Sequence, residues 1–111
     1  SDLVVVCGQP IFEDQAFDTL LNPAVIIEVL SDSTEKYDRG AKFGHYRRVP
    51  TIQEYVLVSQ DSALIERYVR QPDDSWLLTI FGGLDGLFQF STTNVKVAMA
   101  DAYRGITFAS Q

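Results

Sequence analysis

Asn22-Pro23-Ala24-Val25-Ile26-Ile27-Glu28-Val29-Leu30-Ser31 is the stretch on which the fold turns. Between Ala24 and Leu30 only Glu28 is not apolar, and Val25, Ile26, Ile27 and Val29 are β-branched, the composition of a strand covered on both faces. Pro23 opens that strand at a position where its missing N–H does little harm. An ionised carboxylate inside such a strand is costly unless it is paired, so Glu28 calls for a partner. Candidates follow at once: Ser31-Asp32-Ser33-Thr34 offers N-cap side chains for a helix, and that helix carries Asp38 and Lys42 one turn apart. An acid near a strand end and a lysine on the adjoining helix suggest a metal and phosphate site.

Upstream, Leu3 to Cys7 reads as a short buried strand ended by Gly8-Gln9-Pro10, followed by an acidic loop from Ile11 to Asn22 whose Phe12, Phe17, Leu20 and Leu21 pack it down. Downstream, the helix is expected from Thr34 or Glu35 to Arg47, where Val49-Pro50 stops it. Gly40 and Gly44 weaken it by roughly 1 kcal/mol each against alanine, which suggests close packing against another backbone or a substrate. Tyr37, Ala41 and the ring of Phe43 or Tyr46 supply its apolar stripe. Ile52 to Ser59 is a third strand, and Ala63 to Arg70 alternates as the return arm of a hairpin. Gln71 to Ser75 turns the chain into Trp76 to Phe81. Leu87 to Phe90 adds a short edge strand, and Val97 to Tyr103 has the spacing of a last short helix ended by Gly105. The crossover helix allows parallel pairing among the first strands, whereas the C-terminal half is an antiparallel meander. The fold class is α/β, a mixed sheet with flanking helices.

A chain of 111 residues, 46% of them apolar and 12% aromatic, makes one domain with one core. No apolar run approaches the roughly 20 residues of a membrane span, and no basic-headed signal peptide opens the chain, so a cytoplasmic setting is the default. The single cysteine, Cys7, excludes an internal disulfide and reads as a buried small hydrophobe. The chain begins on a strand without a methionine, so it reads as an N-terminally truncated, partial domain; a sheet edge uncovered that way invites a homodimer. The net charge of -6 argues against broad attraction to nucleic acid. Yet five of the nine basic residues, Lys36, Arg39, Lys42, Arg47 and Arg48, fall in one segment whose only acid is Asp38. They form either a local basic face or a solvated helix face.

Carboxylates at fixed spacing can hold a divalent ion, and a nearby lysine can orient or deprotonate water or stabilise charge growing at phosphorus. Asp2, Glu28 and Lys42 are such a set. Asp2 begins the first strand and Glu28 lies near the end of the second, so adjacent strands can present both at one edge. The plainer alternatives are a structural Glu28 bridged to Lys42 or Arg39 and an exposed terminal Asp2. His45 reads as a surface or packing residue, since no second histidine or cysteine completes a zinc set. Arg47-Arg48 suits either a phosphate backbone or the helix dipole. Tyr55, Tyr68, Trp76 and Phe81 recur at strand period and read as core or cross-strand pairs.

Taken together, Asp2-Leu3-Val4-Val5-Val6-Cys7, Asn22 to Ser31, Ser33-Thr34, Tyr37-Asp38-Arg39-Gly40, Lys42, Tyr46 and Glu54-Tyr55-Val56-Leu57-Val58 resemble the Uma-type restriction endonucleases, abundant in cyanobacteria, of the PD-(D/E)XK nuclease superfamily. The resemblance covers nearly the whole chain and is most specific from Asn22 to Val58. It implies a restriction-endonuclease-like fold and Mg2+-dependent hydrolysis of double-stranded DNA, with Mn2+ as a substitute. Asp2 is then the aspartate of the PD element, Glu28 the second acid, the Val29 carbonyl a third metal ligand, and Lys42 the residue at the attacking water. Asp38 and Tyr46 match family positions and are carried over as support for Lys42 or the metal. Two departures stand: Ser1 occupies the usual proline position, and Leu30 occupies the position of the superfamily lysine, which shifts that role to Lys42 on the helix ahead of Lys36. The alternative is an inactive module that keeps the nuclease fold for binding or oligomerisation.

Overall fold

The computed structural model describes residues 2–5, 24–30 and 38–108. The run around Glu28 is β2 (Val25–Leu30), second in a five-stranded sheet ordered β1-β2-β3-β4-β5, with β1 (Asp2–Val5), β3 (Glu54–Ser59), β4 (Leu64–Arg70) and β5 (Trp76–Gly82). The crossover puts β2 and β3 parallel, as expected, while β1 runs antiparallel to β2. The meander β3-β4-β5 is antiparallel throughout. Val6 and Cys7, the acidic loop, the Ser31–Thr34 caps, Lys36 and Tyr37 lie outside the described residues.

Period-two alternation sorts the sheet into two covered faces. One carries Ile26, Glu28 and Leu30 of β2 with Tyr55 and Leu57 of β3, and the helical segment packs on it. That segment is a wide π-type turn, Asp38–Lys42, running into α1, Phe43–Tyr46. Both Phe43 and Tyr46 face the core, whereas Ala41 is exposed and not part of the stripe. The Phe43 ring stands 4.9 Å from Tyr68 and 5.4 Å from both Tyr55 and Trp76. Such aromatic contacts contribute about 0.5–1.5 kcal/mol each beyond area burial. The glycines do not mark a close approach to another backbone: among the described residues, a Cβ at Gly40 or Gly44 would meet nothing within 4 Å.

The opposite face is covered by a two-stranded ribbon, β6 (Leu87–Gln89) with β7 (Lys96–Ala98), followed by α2 (Met99–Ala102). Leu87 to Phe90 therefore does not extend the meander, and Val97 lies on a strand rather than in the expected helix. Its cross-strand partner is Phe88, and Phe88, Met99 and Tyr103 close a second core over Val56 and Ile65. Glu54, without exposed surface, secures this layer: its carboxylate accepts the Ser91 and Thr92 N–H groups at 2.8 and 2.9 Å and the Thr92 hydroxyl at 2.5 Å. The Tyr103 hydroxyl reaches the β3–β4 turn, where its one proton is shared between the carbonyls of Ser59 (2.8 Å) and Leu64 (3.0 Å) and its oxygen accepts the Leu64 N–H at 3.3 Å. Burial pushes that phenol above its ordinary pKa, partly offset by the Leu64 backbone hydrogen bond. Among the described residues no helix is long and apolar enough to cross a membrane.

Candidate active site

Antiparallel pairing of β1 with β2 sets Asp2 directly across the ladder from Glu28. Cα atoms of opposed residues in such a ladder lie about 4.5–5.5 Å apart. The two acids singled out in the sequence are thus neighbours across the ladder, and a parallel pairing of these strands would have separated them. The side chains of Asp2 and Asp38 lie outside the described part. Asp38 itself begins the π-type turn, four residues before Lys42.

Glu28 has no exposed surface. The Lys42 Nζ donates to its Oε1 at 3.2 Å, and the Tyr46 hydroxyl donates to the same oxygen at 3.4 Å. Lys42 keeps 28% of its side chain exposed, so the ammonium sits between the buried carboxylate and solvent. Lys42 and Tyr46 meet on Glu28 because residues four apart share a helix face. Val29, next to Glu28, turns its side chain to the other face. There a cleft of about 360 Å³ opens between Val29, Val58, Tyr103 and Ile106, away from the Glu28 carboxylate. Among the described residues no three acidic, histidine or cysteine side chains gather as a metal-ligand group.

Two residues that the sequence did not single out complete the surroundings. Arg70, at the end of β4, donates to the carbonyls of Ile52 (2.8 Å), Arg47 (2.9 Å) and Val49 (3.2 Å), and its guanidinium stacks 4.5 Å from the Trp76 ring centre. It thereby holds the C-terminal end of the helix that carries Lys42 and Tyr46. Its cross-strand position opposite Trp76 was the available signal. Glu66 is also buried, and the register runs Asp2, Glu28, Leu57, Glu66 straight across four strands. At about 4.8 Å per strand its backbone lies roughly 10 Å from that of Glu28 on the same face. Alternation put Glu66 beside Tyr68, but nothing local marked it as buried. His45 is exposed, its ring 5.6 Å edge-on to Tyr46, and Arg47 and Arg48 are exposed beyond α1.

Comparison with known proteins agrees with this architecture. An Anabaena variabilis protein described as "a putative nuclease belonging to DUF820" superposes with a TM-score of 0.59 over 75% of this chain and 45% of its own. At 18% identity that likeness speaks for the fold alone, a restriction-endonuclease-like mixed sheet. Two uncharacterized Synechocystis proteins, sll1609 and slr1290, are 39% and 36% identical over 81% and 96% of this chain, matching 51% and 55% of their own lengths. The chain spans about half the length of these relatives. The sequence model of the Uma2 family, described as "Putative restriction endonuclease", matches residues 1–97, and this chain belongs to that family.

Proposed function

We propose that the whole protein is a metal-dependent endonuclease that hydrolyses phosphodiester bonds of double-stranded DNA. The observation that carries this reading is the wholly buried Glu28 carboxylate, held by Lys42 and Tyr46 from one helix and lying across the ladder from Asp2. Asp2, Glu28 and the Val29 carbonyl offer oxygen donors only, the chemistry that suits Mg2+ or Mn2+. Such an ion, when bound, would polarise the phosphoryl oxygen and lower the pKa of a water. Lys42 then has two tasks at its Nζ: orienting the attacking water and offsetting charge that grows on the phosphoryl oxygens. Tyr46 fixes the Glu28 rotamer through its hydroxyl, and Asp38 lies within one turn of Lys42 to bias it. A DNA substrate implies a cytoplasmic protein. The Lys42–Glu28 pair also favours a second reading, because a paired buried acid can be purely structural; the fold would then serve binding alone.

Plasmid nicking by the whole protein, with Mg2+ or Mn2+ and with EDTA, separates the two. Hydrolysis that needs the metal and falls at least a hundredfold in both Glu28→Gln and Lys42→Met is the expected result. No cleavage by folded wild-type protein, or cleavage indifferent to both substitutions, removes the catalytic reading.

A further inference from the structure

Among the described residues β5 closes the sheet, pairing with β4 on one side only. Its seven residues, Trp76-Leu77-Leu78-Thr79-Ile80-Phe81-Gly82, include no charge and no proline, and its register with β4 runs without a bulge. Edge strands ordinarily carry one of those protections against pairing with another chain. Here instead Leu77, Leu78 and Ile80 are 57%, 42% and 60% exposed.

Hydrogen bonds at both ends fix the phase of the β4–β5 ladder. The Gln71 N–H donates to the Ser75 carbonyl at 2.7 Å, and the Gly83 N–H donates to the Ala63 carbonyl at 2.8 Å. Alternation between these ends turns the backbone groups of Leu77, Thr79 and Phe81 toward β4 and those of Leu78 and Ile80 outward.

We propose that β5 is a self-pairing edge, joining two copies of this chain antiparallel about a two-fold axis at Thr79. That register sets Leu78 opposite the partner's Ile80 and Ile80 opposite the partner's Leu78, so outward N–H and C=O groups meet in reciprocal pairs. Leu78 then lies beside the partner's Ile80 on one face, and Leu77 beside the partner's Phe81 on the other. The occupant follows from this self-complementarity: one strand supplies both halves, the overlap covers its whole length, and no charge within it meets a like charge. The contact is isologous and closed. A seven-residue ladder is about 24 Å long. Its buried surface falls near or below the ~1,200 Å² lower end of stable interfaces, so micromolar association is expected.

The dimer does not depend on the nuclease reading. In the joined ten-stranded sheet the two Glu28 positions are seven strand spacings apart, about 34 Å along the sheet. A twist of about 20–25° per strand also turns them away from each other. Sedimentation equilibrium of the full chain from about 1 to 200 μM spans that affinity range. The weight-average mass is expected to rise toward twice the monomer mass. Ile80→Lys and Leu78→Glu, each at an exposed position and each checked by circular dichroism, are expected to abolish the rise. An equimolar mixture of the two variants is expected to restore it, because this register sets the substituted positions opposite each other with opposite charges. A wild-type chain that stays monomeric overturns the proposal, as does a dimer indifferent to both substitutions, and a mixture that fails to associate overturns the register.

Discussion

Replacing both members of the Glu28–Lys42 pair should cost far less stability than replacing Lys42 alone. Lys42→Met removes the ammonium that stands 3.2 Å from a carboxylate with no exposed surface. Breaking a buried pair from one side costs about 3–5 kcal/mol. Because Lys42 is 28% exposed, the lower end applies, about 3 kcal/mol. Glu28→Gln keeps the volume and an acceptor for Tyr46, and it leaves an ammonium that can turn to water, so about 1 kcal/mol is expected. The double variant Glu28→Gln/Lys42→Met removes both charges of the pair together and should also lose about 1 kcal/mol. The singles would sum to about 4 kcal/mol, which makes the coupling about 3 kcal/mol. Urea unfolding of the four proteins, read as midpoint shifts at constant slope, measures this directly. A coupling below about 0.5 kcal/mol would mean that the pair contributes nothing specific, and the account of Glu28 would fail.

Three further outcomes follow from the packing. Arg70→Met keeps contact with Trp76 but removes donors to the carbonyls of Arg47 and Val49 after the helix and of Ile52 before β3; a loss of about 3 kcal/mol is expected from roughly 1 kcal/mol per hydrogen bond, and an unchanged urea midpoint would contradict it. Tyr103 has a phenol pKa raised in the folded state, so its contribution is full below the unfolded value of about 10 and is lost as pH rises through the folded value. Stability should therefore fall in alkali, and Tyr103→Phe should lower stability by about 1–2 kcal/mol at neutral pH while flattening the alkaline decline. Gly44→Ala, whose Cβ would meet nothing within 4 Å among the described residues, should gain up to about 1 kcal/mol, a Tm rise of about 4 °C, in calorimetry.

The sheet was legible wherever burial repeats with the strand period. Ala24 to Leu30 is apolar enough to force a doubly covered strand, and the Leu64 to Arg70 alternation forces a hairpin arm. The helical segment was legible in place but not in winding, because a π-type turn over Asp38–Lys42 reflects where Phe43 must land on Tyr55, Tyr68 and Trp76 rather than any local preference. Gly40 and Gly44 misled in one of their two readings: low helix propensity suggested packing against another backbone, whereas the described part of the segment is held by its aromatic rings. Val97 misled because a three-residue strand and the first turn of a short helix offer the same few apolar positions. What settles it is Phe88, a long-range partner that no window around Val97 contains. For the candidate site, the Lys42–Glu28 contact was legible because a buried acid must find a cation. Arg70 was not, since its value lies in carbonyls contributed by Arg47, Val49 and Ile52, which only the folded chain assembles.

The same contact bears on how DNA can approach an acidic chain. A scissile phosphate brought near Glu28 alone would face a like charge; at 4 Å and an effective dielectric of about 20 the repulsion is about 4 kcal/mol. With the Lys42 ammonium on the solvent side of the carboxylate, the charge of Glu28 is offset at close range, which leaves that of Asp2 across the ladder for a bound cation to offset. The overall -6 then acts mainly from beyond a Debye length of about 8 Å, where salt screens it. If the proposed substrate is right, local sign rather than net charge would govern its approach. On the proposed nuclease reading, the arrangement that lets Glu28 be buried would also let a phosphate come close, and a lysine would suit both tasks because its flexible stem allows the ammonium to reach toward the substrate.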